Sequence, residues 1–195
     1  MEKIIVGIDE AGRGPLAGPV YASSVCFVKG AQYIAGLNDS KKLSSKQREE
    51  LAFVIKQTCL FGIGHASEKE IDEINILNAT FLAMERAVNN LLEAFDISVE
   101  DCRFLIDGNM VPGFLKPYDA LAIVKGDSKI PEIMAASILA KTERDAFMIK
   151  MDSKYPEYGF KKHKGYGTKE HREAISRYGL SSLHRRSFSL HKRSL

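Results

Sequence analysis

Short apolar runs, rich in β-branched residues and bounded by turn residues, recur along the chain and predict β-strands. Several of these runs lead directly into acidic residues. The predicted strands are KIIVGIDE (3–10), VYASSVCFV (20–28), CLFGIGHAS (59–67), RFLIDGN (103–109) and the apolar part of ALAIVKGDSK (120–129).

Apolar residues at helical spacing lie between and after these strands, in the pattern of amphipathic helices that pack one face into a core. Helices are predicted to start at Ser44 or Ser45, over about 75–95, from Pro131 and over about 169–178, with a loop over 158–168 before the last. Strands that come first and then alternate with helices indicate a mixed-sheet α/β domain.

The length and the cysteine content narrow the class of protein. A chain of 195 residues fits one domain with its own core. Its three cysteines are scattered without a CxxC spacing, so neither a disulfide framework nor a zinc site is indicated, and they are interpreted as buried reduced thiols. The first apolar run is too short for a signal peptide, and no run is long enough to span a membrane, so we expect a cytoplasmic protein.

Charge is distributed unevenly along the chain. The formal net charge is only +3, but residues 154–195 carry +8 and the remaining residues carry −5. Such a basic segment is typical of a surface that contacts a polyanion such as nucleic acid. The alternative is a solvated basic surface with no ligand.

Four acidic residues follow predicted buried strands. Asp9 and Glu10 end the first strand, Asp107 ends the fourth, and Asp127 follows the fifth. Ligands of α/β sheets collect where strands end, and carboxylates there would hold Mg²⁺ or Mn²⁺. Two such ions about 3.5–4 Å apart form a clamp for phosphoryl displacement.

Each acid also has a simpler interpretation. Asp107-Gly108 and Gly126-Asp127 are ordinary turn dipeptides. Adjacent strand residues point to opposite faces, so Asp9 and Glu10 would reach one site only if the strand ends or bulges between them.

The stretch Gly12-Arg13-Gly14 follows the acid pair at once. It is not a P-loop, and taken alone it is a tight turn. Flanking glycines would also let backbone amides approach a sugar-phosphate chain, with Arg13 on a phosphate. Such close approach could sense the 2′-hydroxyl that distinguishes RNA from DNA.

The segment DEAGRGPLAGPV (9–20) resembles the signature of the type 2 ribonuclease H family, most closely its bacterial ribonuclease HII branch. Further matching blocks, in the order of the family, are NDSKKLS (38–44), IDGN (106–109), KGDSKIPEIMAASILAK (125–141), KGYGT (164–168) and HRRSF (184–188).

The resemblance implies a ribonuclease H-like α/β fold, with a mixed five-stranded sheet flanked by helices and a small C-terminal helical segment. It implies one catalytic domain over 1–195, in which the basic segment 154–195 helps to bind nucleic acid. The implied activity is hydrolysis of the RNA strand of RNA/DNA hybrids and cleavage 5′ of single ribonucleotides embedded in duplex DNA. The implied products carry 3′-hydroxyl and 5′-phosphate ends.

The resemblance also assigns site residues. Two Mg²⁺ or Mn²⁺ ions are implied on the four carboxylates Asp9, Glu10, Asp107 and Asp127. Contact with the ribose 2′-hydroxyl is implied for Gly12, Arg13 and Gly14. Stacking of Tyr166 on the deoxyribose that follows the junction is also implied, although its residue type alone equally suits a packing role.

Other residues are implied to approach backbone phosphates, namely Lys41, Lys42, Arg185, Arg186 and the hydroxyl of Ser187. Each could instead be a solvated surface group. No histidine is needed as a base, and His65, His163, His171, His184 and His191 are interpreted as surface or phosphate-side residues. We expect a monomer, and the C-terminal sequence shows no clear motif for a sliding-clamp partner.

The sequence leaves two alternatives open. Another two-metal nuclease of the same fold would use a similar set of acids, but it would have no need for a 2′-hydroxyl sensor. A non-catalytic nucleic-acid-binding paralogue should have lost at least one acid, whereas all four are present.

Overall fold

The computed structural model describes residues 2–28 and 34–189 and contains a mixed five-stranded sheet in the order β3-β2-β1-β4-β5. The strands are β1 (Ile4–Ala11), β2 (Val20–Phe27), β3 (Cys59–Ala66), β4 (Cys102–Asp107) and β5 (Ala120–Ile123). β1 pairs with β2, and β2 with β3, in antiparallel fashion, whereas β4 lies parallel to both β1 and β5.

Helices cover both faces of this sheet. They are α1 (Ser45–Thr58), α2 (Glu68–Phe95), α3 (Pro131–Asp152), α4 (Phe160–His163) and α5 (Lys169–Tyr178). Buried apolar residues of α2 pack on one face of the sheet, and those of α1 and α3 pack on the other. The mixed α/β architecture predicted from the strand and helix pattern is confirmed.

The alternation along β1 decides which side chains meet α3. Val6 and Ile8 are fully buried in the core that contains α2, so Gly7 and Asp9 point toward α3. Any Cβ on Gly7 would overlap the backbone of Glu132. The missing side chain therefore lets α3 lie close against β1, beside Asp9.

The helix boundaries follow local capping chemistry. Ser44 is the N-cap of α1 and forms a capping box with Gln47, as the predicted start at Ser44 or Ser45 suggests. α2 is longer than its apolar stripe predicts, because a first helical part joins the second through a kink at Asn75 (φ 68°). The Asn75 side chain accepts from the amides of Leu77 and Asn78, so it caps the second part, close to the predicted start at 75.

A third apolar cluster joins the C-terminal helices to the segment after β1. Leu16 and Ala17 pack there with Tyr158, Phe160 and Leu183. The loop predicted over 158–168 contains the short helix α4, and α5 spans the predicted residues. This cluster packs the C-terminal segment against Leu16 and Ala17, shortly after the acid pair in the chain.

Candidate active site

The acid pair lies where β1 extends past its neighbour. The last pair between β1 and β4 joins Ile8 to Ile106, and β4 ends at Asp107. β1 continues in unbroken register with β2 as far as Ala11. The expectation that the strand must end or bulge between Asp9 and Glu10 is therefore wrong: both acids border one cavity because the strand beside them has ended.

This cavity has a volume of about 310 Å³ and combines acidic, basic and aromatic groups. It is lined by Asp9, Glu10, Ala11, Gly12, Arg13, Gly14, Ser40, Lys41, Arg48, Asp107, Ser137, Lys141 and Tyr166. The structure thus brings together three of the four predicted acids, the whole Gly12–Gly14 loop, Lys41 and Tyr166.

The carboxylates of the cavity lie close enough to repel one another, and they are largely buried. Asp9 is 5% exposed, and burial, reinforced by the charges of Glu10 and Asp107, raises its pKa well above the usual value. Burial also raises the pKa of Glu10 and of Asp107. The Asp9 carboxylate is partly compensated by hydrogen bonds from the Glu10 amide at 2.7 Å and from Ser137.

Asp127 lies just outside the cavity lining, next to Lys41. The Lys41 ammonium donates to its Oδ2 at 2.7 Å, and this bond raises the pKa of Lys41. The Asp127 amide donates to Oδ1 of Asp107 at 3.3 Å. Asp127 is therefore tied to both Asp107 and Lys41 although it does not line the cavity itself.

The chemistry of these donors fits hard divalent cations. All four candidate ligands are carboxylates, and oxygen donors are what Mg²⁺ and Mn²⁺ take. Among the residues that the structure describes, no three acids, histidines or cysteines stand close enough to form a ready metal cluster. Burial raises the pKa of Asp9, Glu10 and Asp107, so a bound cation would stabilise the ionised forms of these carboxyls.

Arg144, a buried arginine of α3, packs against the Gly12–Gly14 loop. Gly12 has φ +99°, and any Cβ on it would overlap the Arg144 side chain. Arg144 is 1% exposed and donates to the carbonyl oxygens of Pro19, Ala17 and Lys164 at 3.0, 3.1 and 3.0 Å. The position therefore requires glycine for its backbone angle and for space.

A second buried arginine, Arg185, holds the same loop through its carbonyl groups. Its guanidinium donates to the oxygens of Gly18 at 2.8 Å, Arg13 at 3.0 Å and Gly12 at 2.6 Å. Burial lowers the pKa of Arg185 to about 9. The prediction that Arg185 approaches a phosphate is corrected here, because a guanidinium 1% exposed and bonded to three carbonyls is not on the surface.

These carbonyl bonds fix which way the amides of the loop point. In a trans peptide the N–H of one residue points opposite to the preceding carbonyl. Since the carbonyls of Gly12 and Arg13 face Arg185, the amides of Arg13 and Gly14 point away from it. Arg13 also donates to Glu10 Oε1 at 3.3 Å, which ties the loop to the acid pair.

Three residues of α3 that were not predicted from the sequence reach the site. Ser137 bonds Asp9, Lys141 lines the cavity, and Arg144 lies under the loop. Their spacing of i, i+4 and i+7 places them on one helix face, which is the signal that could have found them. Lys141 and Arg144 each have their charged group 5.9 Å from the ring centroid of Tyr166.

Tyr166 stands at the rim of the cavity. Its ring is close to the Gly12–Gly14 loop, because a Cβ on Gly14 would lie 3.8 Å from Tyr166 Cε1. The residue is 43% exposed, so one part of the ring packs and another part faces solvent. Both interpretations of this tyrosine, as a packing residue and as a contact for ligand, are compatible with that position.

The remaining predicted basic residues lie outside the cavity lining. Lys42 and Arg186 are exposed. The Arg186 and Ser187 amides both donate to Asp72, and the Ser187 hydroxyl donates to Asp72 Oδ1 at 2.6 Å. Ser187 therefore uses its hydroxyl to fasten the C-terminal segment to α2 in this structure.

The interpretation of the histidines as surface or phosphate-side residues is wrong for three of them. His163, His171 and His184 are 8%, 0% and 2% exposed and pack around Phe160 and Tyr158. His65 is exposed and stacks on Tyr21. His191 lies outside the described residues.

Comparisons with known proteins point to one family. The family model for ribonuclease HII matches residues 6–191. Ribonuclease HII of Clostridioides difficile is 56% identical over 185 residues, which cover 94% of this chain and 69% of that protein. Ribonuclease HII of Coxiella burnetii is 52% identical over 186 residues, which cover 95% of this chain and 88% of that protein.

Solved structures agree with this result. An Archaeoglobus fulgidus ribonuclease HII, solved in complex with PCNA, superposes with a TM-score of 0.75 at 26% identity and covers 98% of both chains. A Pyrococcus horikoshii ribonuclease H2 gives 0.73 at 27% identity, covering 95% of this chain and 94% of that one. A Bst ribonuclease HIII solved with Mn²⁺ shares the fold at 18% identity, with a TM-score of 0.68 over 91% of this chain and 63% of that one.

Proposed function

Since this chain belongs to the ribonuclease HII family and is a ribonuclease H, we propose that it hydrolyses RNA strands of RNA/DNA hybrids and cuts duplex DNA 5′ of a single embedded ribonucleotide. One observation carries the proposal for this site. Three carboxylates crowd a cavity that also contains the Gly12–Gly14 loop and Tyr166. The acids would form the cleavage site, and the loop would recognise the ribose.

Asp9, Glu10, Asp107 and Asp127 would hold two Mg²⁺ or Mn²⁺ ions. When bound, such ions make water a stronger nucleophile and stabilise charge on the leaving oxygen, which leaves 3′-hydroxyl and 5′-phosphate ends. Asp9 and Asp107 follow the last pair of residues between the neighbouring strands β1 and β4, so both would be among the residues that hold the ions. Lys41 bonds Asp127 in this structure. With cations bound to the acids, Lys41 would be free to contact the substrate phosphates instead.

The Gly12–Gly14 loop would contact the ribose 2′-hydroxyl. Because Arg185 holds the loop carbonyls, the amides of Arg13 and Gly14 are left to donate on the other side. Tyr166, at the rim beside Gly14, would stack on the sugar that follows the junction. DNA lacks the 2′-hydroxyl acceptor, so it would leave these donors unpaired, which disfavours an all-DNA substrate.

The basic residues outside the cavity would contact the duplex backbone. Lys42 and Arg186 are exposed and can reach phosphates by side-chain rotation. Ser187 would do so only by exchanging its bond to Asp72. Arg185 is assigned to positioning the Gly12–Gly14 loop instead.

We propose that the 195 residues act as one monomeric domain in the cytoplasm. The free cysteines are buried, and burial raises the pKa of Cys26 to about 12 and of Cys102 to about 11, which suits unreactive thiols in a reducing compartment. Within the described residues, none of the helices is both long and apolar enough to cross a membrane. We propose no sliding-clamp partner; PCNA is seen with the archaeal relative.

The test is a cleavage assay on three labelled duplexes: one with a single internal ribonucleotide, one all-DNA, and one long RNA/DNA hybrid. Each is incubated with Mg²⁺, Mn²⁺ or a chelator. We expect a metal-dependent nick 5′ of the single ribonucleotide, cleavage of the hybrid, and no cleavage of DNA. Cleavage of the hybrid alone would contradict the roles proposed for the Gly12–Gly14 loop and Tyr166. Cleavage of DNA would indicate another nuclease of the same fold.

A further inference from the structure

Two buried histidines form a continuous hydrogen-bonded link that ends at Tyr166. His171 Nδ1 lies 2.9 Å from the Tyr166 carbonyl oxygen, and His171 Nε2 lies 3.1 Å from His184 Nε2. His184 Nδ1 lies 2.9 Å from the Ser181 amide and 2.8 Å from the Ser181 hydroxyl. The site assigned above does not use either imidazole.

The partners of this pair allow one arrangement of protons. A carbonyl only accepts, so His171 must carry its proton on Nδ1, which leaves Nε2 as an acceptor. His184 must then donate from Nε2, and its Nδ1 accepts from the Ser181 amide. Burial lowers the pKa of both imidazoles to about 4, so both stay neutral near pH 7.

The far end of the link is attached to the segment that follows the Gly12–Gly14 loop. His184 forms a β-bridge with Ala17, and its neighbour Arg185 donates from its amide to the Leu16 carbonyl at 2.9 Å. The side chain of Arg185 holds Gly12 and Arg13, as described above. The dipeptide His184-Arg185 is therefore bonded to the Gly12–Gly14 loop through Arg185, and to the Tyr166 carbonyl through His184 and His171.

We propose that His171 and His184 are positioning residues that fix the distance between Tyr166 and the Gly12–Gly14 loop, and so set the preference for an RNA-to-DNA junction over a continuous hybrid. This inference rests on the proposed function. At a single embedded ribonucleotide, the loop and Tyr166 must engage adjacent sugars at the same time. Within a continuous hybrid the following sugar is a ribose, and the spacing to Tyr166 matters less.

Two substitutions at His184 separate this role from simple packing. In His184→Gln the side-chain amide reaches the place of Nε2 and can still donate to His171, but the acceptor for Ser181 is lost. In His184→Asn the acceptor for Ser181 remains, but the shorter side chain does not reach His171. His65→Gln is the control, because His65 is an exposed histidine that stacks on Tyr21.

The measured quantity is the ratio of kcat/KM on the single-ribonucleotide duplex to kcat/KM on the long hybrid. We expect His184→Asn to lower this ratio about tenfold, the scale of one lost hydrogen bond, and His184→Gln and His65→Gln to keep it within about twofold. In a Tyr166→Ala background, His184→Asn should lower it no further. Equal ratios for wild type and His184→Asn, with both substrates cleaved, would overturn the inference.

Nitrogen-15 NMR of the histidine rings gives a second test that needs no substrate. The wild-type protein should show His171 protonated on Nδ1 and His184 on Nε2. The opposite tautomers, or charged rings at pH 7, would overturn the link. If the wild-type enzyme cut neither duplex, the proposed function would fail, whereas the tautomer result would still decide whether the link exists.

Discussion

Replacing Gly12 with alanine tests how strongly the packing of Arg144 against the Gly12–Gly14 loop stabilises the protein. The backbone angle φ +99° disfavours any side chain, by about 1–2 kcal/mol. The new methyl group would also overlap the side chain of Arg144. The loop and Arg144 therefore cannot both keep their places in the variant.

The larger cost comes from Arg144. Its guanidinium makes three hydrogen bonds to carbonyl groups, and each bond to a charged group contributes about 1.5–3 kcal/mol. A shift that breaks two of them costs roughly 3–6 kcal/mol. Together with the backbone strain, we expect the free energy of unfolding to fall by about 5 kcal/mol, out of the usual 5–15 kcal/mol.

Gly179→Ala is the matched control for this experiment. Gly179 also has a positive φ, of +77°, but no described atom lies within 4 Å of a Cβ placed on it. Its ψ of −166° places Gly179 in a region that essentially only glycine adopts, so the control should lose only backbone strain, of about 1–3 kcal/mol. The difference between the two variants isolates the cost of displacing Arg144.

The assay is urea denaturation followed by circular dichroism, with the slope of the transition checked for each protein. We expect Gly12→Ala to lose at least about 3 kcal/mol more than Gly179→Ala. Equal losses would show that Arg144 moves aside at no cost, and the account of a loop held by buried arginines would then be refuted.

Three further predictions concern activity, binding and pH. Asp107→Asn should lower metal-dependent cleavage more than about a hundredfold while duplex binding persists, and a variant that keeps its rate would exclude Asp107 from the site. Lys42→Gln should lower the slope of log affinity against log salt by about 1, measured by fluorescence anisotropy, and an unchanged slope would place Lys42 off the phosphates. The pKa of His184 is about 4 in the folded protein and 6.5 in the unfolded chain. This difference contributes roughly 3 kcal/mol to the free energy of unfolding above pH 6.5, and the contribution is lost as the pH falls toward 4. His184→Leu should flatten the fall in unfolding free energy over that range, and parallel curves would contradict the buried neutral state.

The acids of the site were predictable because their signal is local. An apolar strand that ends in a carboxylate can be seen in a short window, and three such endings pointed to one edge of the sheet. The strand order that brings β1 beside β4 was not predicted, because it depends on pairing between segments that are far apart in the chain. The reason that Asp9 and Glu10 share a cavity was not predictable, because it depends on where β4 stops relative to β1.

The buried basic residues were mispredicted or missed for the opposite reason. Arg185 and His171 lie in a basic segment, and basic residues are exposed in most proteins. Their burial depends on carbonyl groups supplied by distant segments, such as that of Gly12 for Arg185. A pattern of residue types along the chain contains no information about which backbone carbonyls remain unpaired after folding.

The bond from Arg185 to Gly12 spans 173 positions of the chain, which has consequences for biosynthesis. Strands β1 and β4 can pair once residue 107 has emerged from the ribosome, so the acidic end of the site can assemble early. The Gly12–Gly14 loop gains its support only after residue 185 has emerged from the ribosome. In a nascent chain Asp9, Glu10 and Asp107 could therefore come together before the Gly12–Gly14 loop has its support, and the conformation of this loop would be the last part of the site to form.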